Sequence, residues 1–100
     1  AVSDKRLKDD IQTISESLDR ILDLRPTKFT WIETSKDDVG FIAQEVEEVI
    51  PEVVETSRGF INTGDDKERK TIAYPKLVPY LVDTIQVLTK RIEELEKKVK

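Results

Sequence analysis

The chain has 100 residues, enough for one small domain with a modest core. Charged residues make up 38% of it and hydrophobic ones 37%, and a net charge of −4 with a pI near 4.9 argues against nucleic acid, whose phosphates need a basic face. With no His and no Cys, zinc sites, disulfides and imidazole or thiol catalysis are excluded, and no apolar run reaches the roughly 18 residues of a membrane span or reads as a signal peptide.

The first ten residues form a polar leader, with "SDKRLK" at Ser3 to Lys8 and only Leu7 as a large apolar side chain. Leu7, Ile11, Ile14, Leu18, Ile21 and Leu22 then recur at steps of mostly three and four, the mark of an amphipathic helix. Alternatively, Ser15 or Ser17 caps a shorter helix running to Leu24. Arg25-Pro26 ends either one, because the residue before proline is pushed out of the helical region.

A body follows, so that the chain divides into a cleavage-site leader over 1–10, an α+β body over 11–74 and a terminal helix over 75–100. Thr27 to Ile32 alternates, with Phe29 and Trp31 on one face, and predicts a strand whose aromatic rings belong to the core. "TSKDD" reads as a loop, and Gly40 opens a second strand, "GFIA". Val46, Val49 and Ile50 share a helical face that Pro51 terminates. "EVVET" and "GFIN" predict strands around a turn at Ser57 to Gly59, "TGDDKERK" (Thr63 to Lys70) a charged turn, and "TIAY" a last strand. The expected fold is α+β, a small antiparallel sheet with short helices.

From Pro75 onward, Val78, Ile85, Ile92 and Val99 fall seven apart, with Leu81, Leu88 and Leu95 interleaved. This is a heptad seam, and it predicts a helix from Leu77 to Lys100 about 36 Å long, with Pro79 tolerated in its first turn. The stretch "RIEELEKKVK" is too polar elsewhere to pack on a globular core, so the stripe calls for partner helices. Ile at a with Leu at d ordinarily favours two strands. Arg91, at g, followed by Ile92, Leu95 and Glu96, at e, resembles the Arg-apolar-x-x-apolar-Glu pattern of trimeric coiled coils and points to three.

Among possible reaction centres, Ser3 is either a helix cap with Asp4 beside it or the nucleophile of a Ser–Lys dyad with Lys8. A spacing of five is about 500° along a helix, which leaves the side chains about 140° apart, and on a strand it puts them on opposite faces. They meet only through a turn or across two subunits. An ordinary lysine amine titrates near ~10.4, so a base here needs burial or cationic neighbours such as Lys5 and Arg6. Asp9-Asp10, Asp37-Asp38 and Asp65-Asp66 lack calcium-loop spacing and read as solvated turns, with no metal expected. The 63–70 turn offers amides and bases to a nucleotide such as ATP, but it is not a P-loop.

Taken in order, "SDKRLKDDI", "LDRILDLRPTKFTW", "GFIAQEVEEVIPEVV" and "TIAYPKLVPYLVDTIQVLTKRIEELEKKV" closely resemble the C-terminal self-cleaving intramolecular chaperone domain of bacteriophage tailspikes, tail fibres, neck appendages and endosialidases. A related module is the cleavage domain of the myelin regulatory factor. The resemblance spans essentially the whole chain. It implies a homotrimer that assembles the upstream fibre of the same polypeptide, with assembly expected in the host cytoplasm; separately, no cofactor, nucleic acid or membrane partner is expected. It further implies release by Ser3 as nucleophile and Lys8 as base, with the cut at Ser3-Asp4. Ala1 and Val2, upstream of Ser3, are then expected of an uncut form.

Two rival readings accompany this one. In the first, Ser3 and Lys8 are vestigial and the chain is a non-catalytic trimerisation or adaptor module. In the second, the 63–70 turn makes maturation depend on nucleotide.

Overall fold

The computed structural model describes residues 1–58 and 68–99. After a 3-10 turn at Lys5–Leu7 come helix α1 (Leu18–Leu22), strands β1 (Thr27–Thr30) and β2 (Asp37–Gly40), helix α2 (Ala43–Val49) and a 3-10 turn at Pro51–Val53. Strands β3 (Val54–Arg58) and β4 (Glu68–Ile72), a 3-10 turn at Tyr74–Lys76 and helix α3 (Leu77–Val99) complete the chain. The α+β expectation holds, but the sheet is divided. β1 and β2 pair antiparallel from Thr27↔Gly40 to Thr30↔Asp37, and β3 and β4 form a separate antiparallel hairpin from Val54↔Ile72 to Arg58↔Glu68.

Several expected boundaries shift. The leader does not extend α1 upstream, because Asp10 and Glu16 hold φ of 47° and 64°, in the left-handed region that interrupts a right-handed helix. The shorter alternative is the one observed, with Ser17 at the N-cap. Its hydroxyl makes no capping bond. Instead the Ser17 N–H donates to the Asp83 carboxylate of α3 at 3.1 Å. β2 runs through "DDVG" rather than "GFIA". The Phe41 N–H leaves the ladder and donates to the Tyr74 hydroxyl at 3.1 Å, and α2 begins two residues later. Gly40 permits that approach, since a Cβ there would lie 2.6 Å from the Tyr74 oxygen. Ser57 and Arg58 extend β3, "EVV" begins in the 3-10 turn after Pro51, and β4 ends at Ile72, before "AY". The expected strand "GFIN", the acids Asp65-Asp66 and most of the 63–70 turn lie outside the described residues.

The core is small. Val46, Ile50, Val53 and Leu77 are buried together, with Ile21, Leu24, Phe41, Val49, Val54, Ile72 and Tyr80 packed around them. Burying an aliphatic side chain of this size stabilises by about 1.5–3 kcal/mol. Pro51 ends α2, as expected, and directs Val53 back under it. Trp31, by contrast, is 53% exposed. It makes an edge-on contact with Phe29 at 5.0 Å and donates its indole N–H to Asp38, beyond the edge of the core.

A polar clasp binds α1 to the turn after α2 and to α3. Arg20 pairs with Glu52, donates to the Val49 carbonyl at 3.1 Å and lies 5.4 Å over the Tyr80 ring. The Tyr80 hydroxyl donates to the second Glu52 oxygen at 2.8 Å. The hydrogen bond from Arg20, ahead of that from Tyr80, draws the Glu52 carboxyl down to about 2.

α3 makes the molecule elongated. The radius of gyration is 18.1 Å, against about 13 Å for a compact domain of this length. Leu77 and Thr84 are buried and Tyr80 and Val87 half-buried, at steps of three and four, on the face turned to the body. The predicted seam occupies the adjacent face. Val78, Leu81, Ile85, Leu88, Ile92, Leu95 and Val99 are all exposed, from 39% at Leu88 to 87% at Val99.

Candidate functional site

The leader is exposed throughout residues 1–16, yet its first part has a defined shape. Asp4, in extended conformation, caps the turn at Lys5–Leu7 by accepting the Arg6 N–H on Oδ1 at 2.9 Å. The cap is therefore Asp4, and not Ser3 as the capping alternative had it. Leu7 and Lys8 close the turn by donating to the carbonyls of Asp4 and Lys5, each at 3.1 Å. Lys8 then leaves in extended conformation, at φ −121° and ψ 145°.

That single turn solves the spacing problem. With the chain reversed between them, Lys8 Nζ donates to Ser3 Oγ at 2.6 Å within one chain. The same separation allows the opposite transfer once the amine is neutral, the hydroxyl proton passing to the nitrogen lone pair and leaving an oxygen nucleophile. The Ser3-Asp4 peptide bond lies at the entrance to the turn, open to solvent.

A second pair supports the turn. The Arg6 guanidinium straddles the Asp4 carboxylate, with Nε 3.2 Å from Oδ1 and Nη2 2.8 Å from Oδ2. This fork, with the Arg6 N–H, holds the Asp4 carboxyl below the usual carboxylate range. Neither the cap nor the fork was anticipated from the sequence, although opposite charges two residues apart were a readable signal for both.

The other candidate residues fall into local structure. The Asp10 N–H donates to Asp9 at 2.8 Å, and Gln12 donates to Asp10 at 3.1 Å. Thr30 donates to Asp37 at 2.7 Å, while Asp38 accepts from Trp31 and from the Val39 N–H. Among the described residues no group of His, Cys, Asp or Glu is arranged to hold a metal ion, and no helix is long and apolar enough to cross a membrane. Arg91 lines a shallow depression with Glu16, Leu18, Asp19 and Val87, where the root of the leader meets α3. Glu96 lies farther along the exposed end of the helix.

A lysine amine thus donates to a serine hydroxyl ahead of a small α+β body and a long helix with an exposed apolar stripe. Residues 3–55 match the peptidase family described as chaperone of endosialidase, and the chain belongs to that family. The match takes in Ser3, Lys8 and the body as far as β3. Over 104 aligned residues the chain is 29% identical to the long tail fiber protein Gp37 of Enterobacteria phage K3, and to that of Enterobacteria phage T2. Those alignments cover 97% of this chain but only 8% and 7% of the relatives, so it spans less than a tenth of their length.

Proposed function

We propose that this domain is an intramolecular chaperone that trimerises through α3, holds three copies of an upstream phage fibre in register, and then releases itself by autoproteolysis. The observation that carries the reading is the 2.6 Å contact from Lys8 Nζ to Ser3 Oγ at the start of the family match. Likeness to tail fibre proteins supports the choice of a fibre as client. The uncovered stripe of α3 supports self-association, and Arg91 with Glu96 favours three strands over two. Assembly would take place in the host cytoplasm, and the mature fibre would lose the domain.

The physical logic follows from topology. Fibre strands contributed by three chains pair non-locally and slowly. A trimeric terminus raises their effective concentration to the ~mM range and fixes their stagger. Cutting afterwards removes the seed of the reverse pathway, so the fibre persists by kinetic stability.

The proposed cut is at Ser3-Asp4. Attack of Ser3 Oγ on its own carbonyl would close a four-membered ring, so the attacking oxygen belongs to a neighbouring subunit's hydroxyl or to a water held by the pair. In the first route Oγ adds to the Ser3 carbonyl carbon as its proton passes to neutral Lys8. The C–N bond then breaks, Lys8 returns the proton to the Asp4 nitrogen, and water hydrolyses the ester to restore the hydroxyl. In the second route water adds directly and Lys8 relays the same proton. Because the pair forms within one chain, the trimer's part would be to bring the attacking group and to cover the exposed leader, not to bring Ser3 to Lys8.

The test uses the chain with its native upstream segment. Incubation should release a fragment slightly smaller than the 11.5 kDa of this chain, with first-order kinetics. Intact trimer with no fragment would instead favour a non-catalytic adaptor, and release only on addition of ATP would favour the nucleotide-dependent reading. Mixed trimers carrying Ser3→Ala chains separate the two routes, since only attack between subunits cuts a chain that lacks its own hydroxyl.

A further inference from the structure

Reacting side chains are usually fixed by packing, and Ser3 and Lys8 have none, for the leader is exposed from Ala1 to Glu16. Extended, five residues would separate them by about 17 Å. Their contact depends on a turn of three residues closed by two backbone bonds, at the marginal end of what such a turn sustains alone. Among the described residues, the one side-chain interaction on that turn besides the Ser3–Lys8 contact itself is the Asp4–Arg6 fork. Through it one carboxylate accepts the Arg6 N–H at the cap and two guanidinium bonds. Arg6 itself is 87% exposed and has no described partner apart from Asp4.

We propose that Asp4 and Arg6 are positioning residues, a clamp that keeps the leader folded so that the Lys8 amine is delivered to the Ser3 hydroxyl. The proposal rests on the dyad reading above. Because the fork pairs opposite charges, Arg6 brings little net charge to the neighbourhood of Lys8, and its effect is geometric. A planar fork suits this task better than a lysine, which is a single point charge on a flexible stem.

The experiment follows release from the fibre-bearing protein across pH for Arg6→Ala, Arg6→Lys, Asp4→Ala and the double variant, beside Ser3→Ala and Lys8→Ala. Arg6 lies outside the scissile bond, so its variants are free of direct effects at the cut. Arg6→Ala should lower the plateau rate at high pH by roughly tenfold or more, the scale on which misplaced groups cost rate. The pH midpoint, oligomeric state and melting temperature should stay unchanged. Arg6→Lys should recover only part of the loss, and the double variant should be no slower than the slower single one, since both break one unit. An unchanged plateau in Arg6→Ala would overturn the clamp while leaving the dyad standing, as long as Ser3→Ala and Lys8→Ala are inert. A shifted midpoint at unchanged plateau would assign Arg6 an electrostatic role instead, and a fall in melting temperature parallel to the rate would reduce it to a structural one. Release by Lys8→Ala at the normal rate would remove the dyad, and the clamp with it.

Discussion

α3 carries two stripes side by side, and they differ in composition and in cover. Leu77, Tyr80, Thr84 and Val87 face the body, mix polar with apolar side chains, and stop where the body stops. Val78, Leu81, Ile85, Leu88, Ile92, Leu95 and Val99 are purely aliphatic, run the length of the helix and remain exposed. The first stripe packs against the body of its own chain. The second is left exposed by the body, and it is the surface through which we propose that the chain associates. The body contact and the proposed assembly surface thus lie on the same helix about 100° apart, so mutation should separate one from the other.

The largest effect should come from the exposed stripe. Leu88→Asp or Ile92→Asp would place an unpaired charge in the proposed seam, a cost that few small interfaces survive. Sedimentation should show monomer in place of trimer, while the far-UV spectrum of the body persists. Wild-type protein sedimenting as a concentration-independent monomer would erase the distinction between the two stripes.

The complementary change is Leu77→Ala, on the buried face. It should destabilise the body by about 2–5 kcal/mol, the usual cost of truncating a buried leucine, read from urea unfolding at fixed protomer concentration. The variant should still associate at low temperature.

A smaller effect is expected from acid. The Glu52 carboxyl, drawn to about 2 by Arg20, binds its proton less readily in the folded chain than when unfolded, where a glutamate titrates near 4.5. The clasp therefore contributes its full stability above that unfolded value and loses it as pH falls towards 2. Both partners are partly exposed, so the contribution is modest. Arg20→Ala should flatten this part of the pH–stability curve and leave the exposed stripe's association unchanged.

The smallest change should follow Arg91→Ala. Exposed ion pairs contribute only about 0.2–1 kcal/mol, so helicity should hardly move, and the expected outcome is a change in the number of strands. If the variant remains trimeric, the aliphatic seam alone sets the number.

What the sequence revealed and what it hid divide along the same line. The long helix α3 and its aliphatic stripe were legible because a heptad repeat is a local, periodic signal. α2 was legible because Val46, Val49 and Ile50 share a face that Pro51 terminates. The body-facing stripe was not, since Tyr80 and Thr84 break its apolar pattern and its partners lie far away in sequence. Long-range capping was equally hidden, for Ser17 meets Asp83 across 66 residues. β2 was misplaced because "GFIA" has strand composition, whereas the Tyr74 hydroxyl takes the Phe41 N–H out of the ladder. Trp31 was assigned to the core with Phe29 as one face of an alternating strand, and it lies at the edge with its indole on Asp38. At the leader, spacing correctly required a turn or a second subunit. The Asp4–Arg6 pair on that turn carried a signal in its opposite charges, but spacing alone did not specify the backbone turn that joins them.

The most direct measurement is the first-order rate of release from the fibre-bearing chain as a function of pH for wild type, Ser3→Ala, Lys8→Ala and Lys8→Arg. Wild-type release should rise with pH, since a general base must be unprotonated to accept the hydroxyl proton. All three variants should assemble fibre yet stay uncut, Lys8→Arg included, because a guanidinium keeps its proton and cannot act as base. Normal release from Lys8→Ala, or from Ser3→Ala chains in trimers that lack the hydroxyl altogether, would contradict the account.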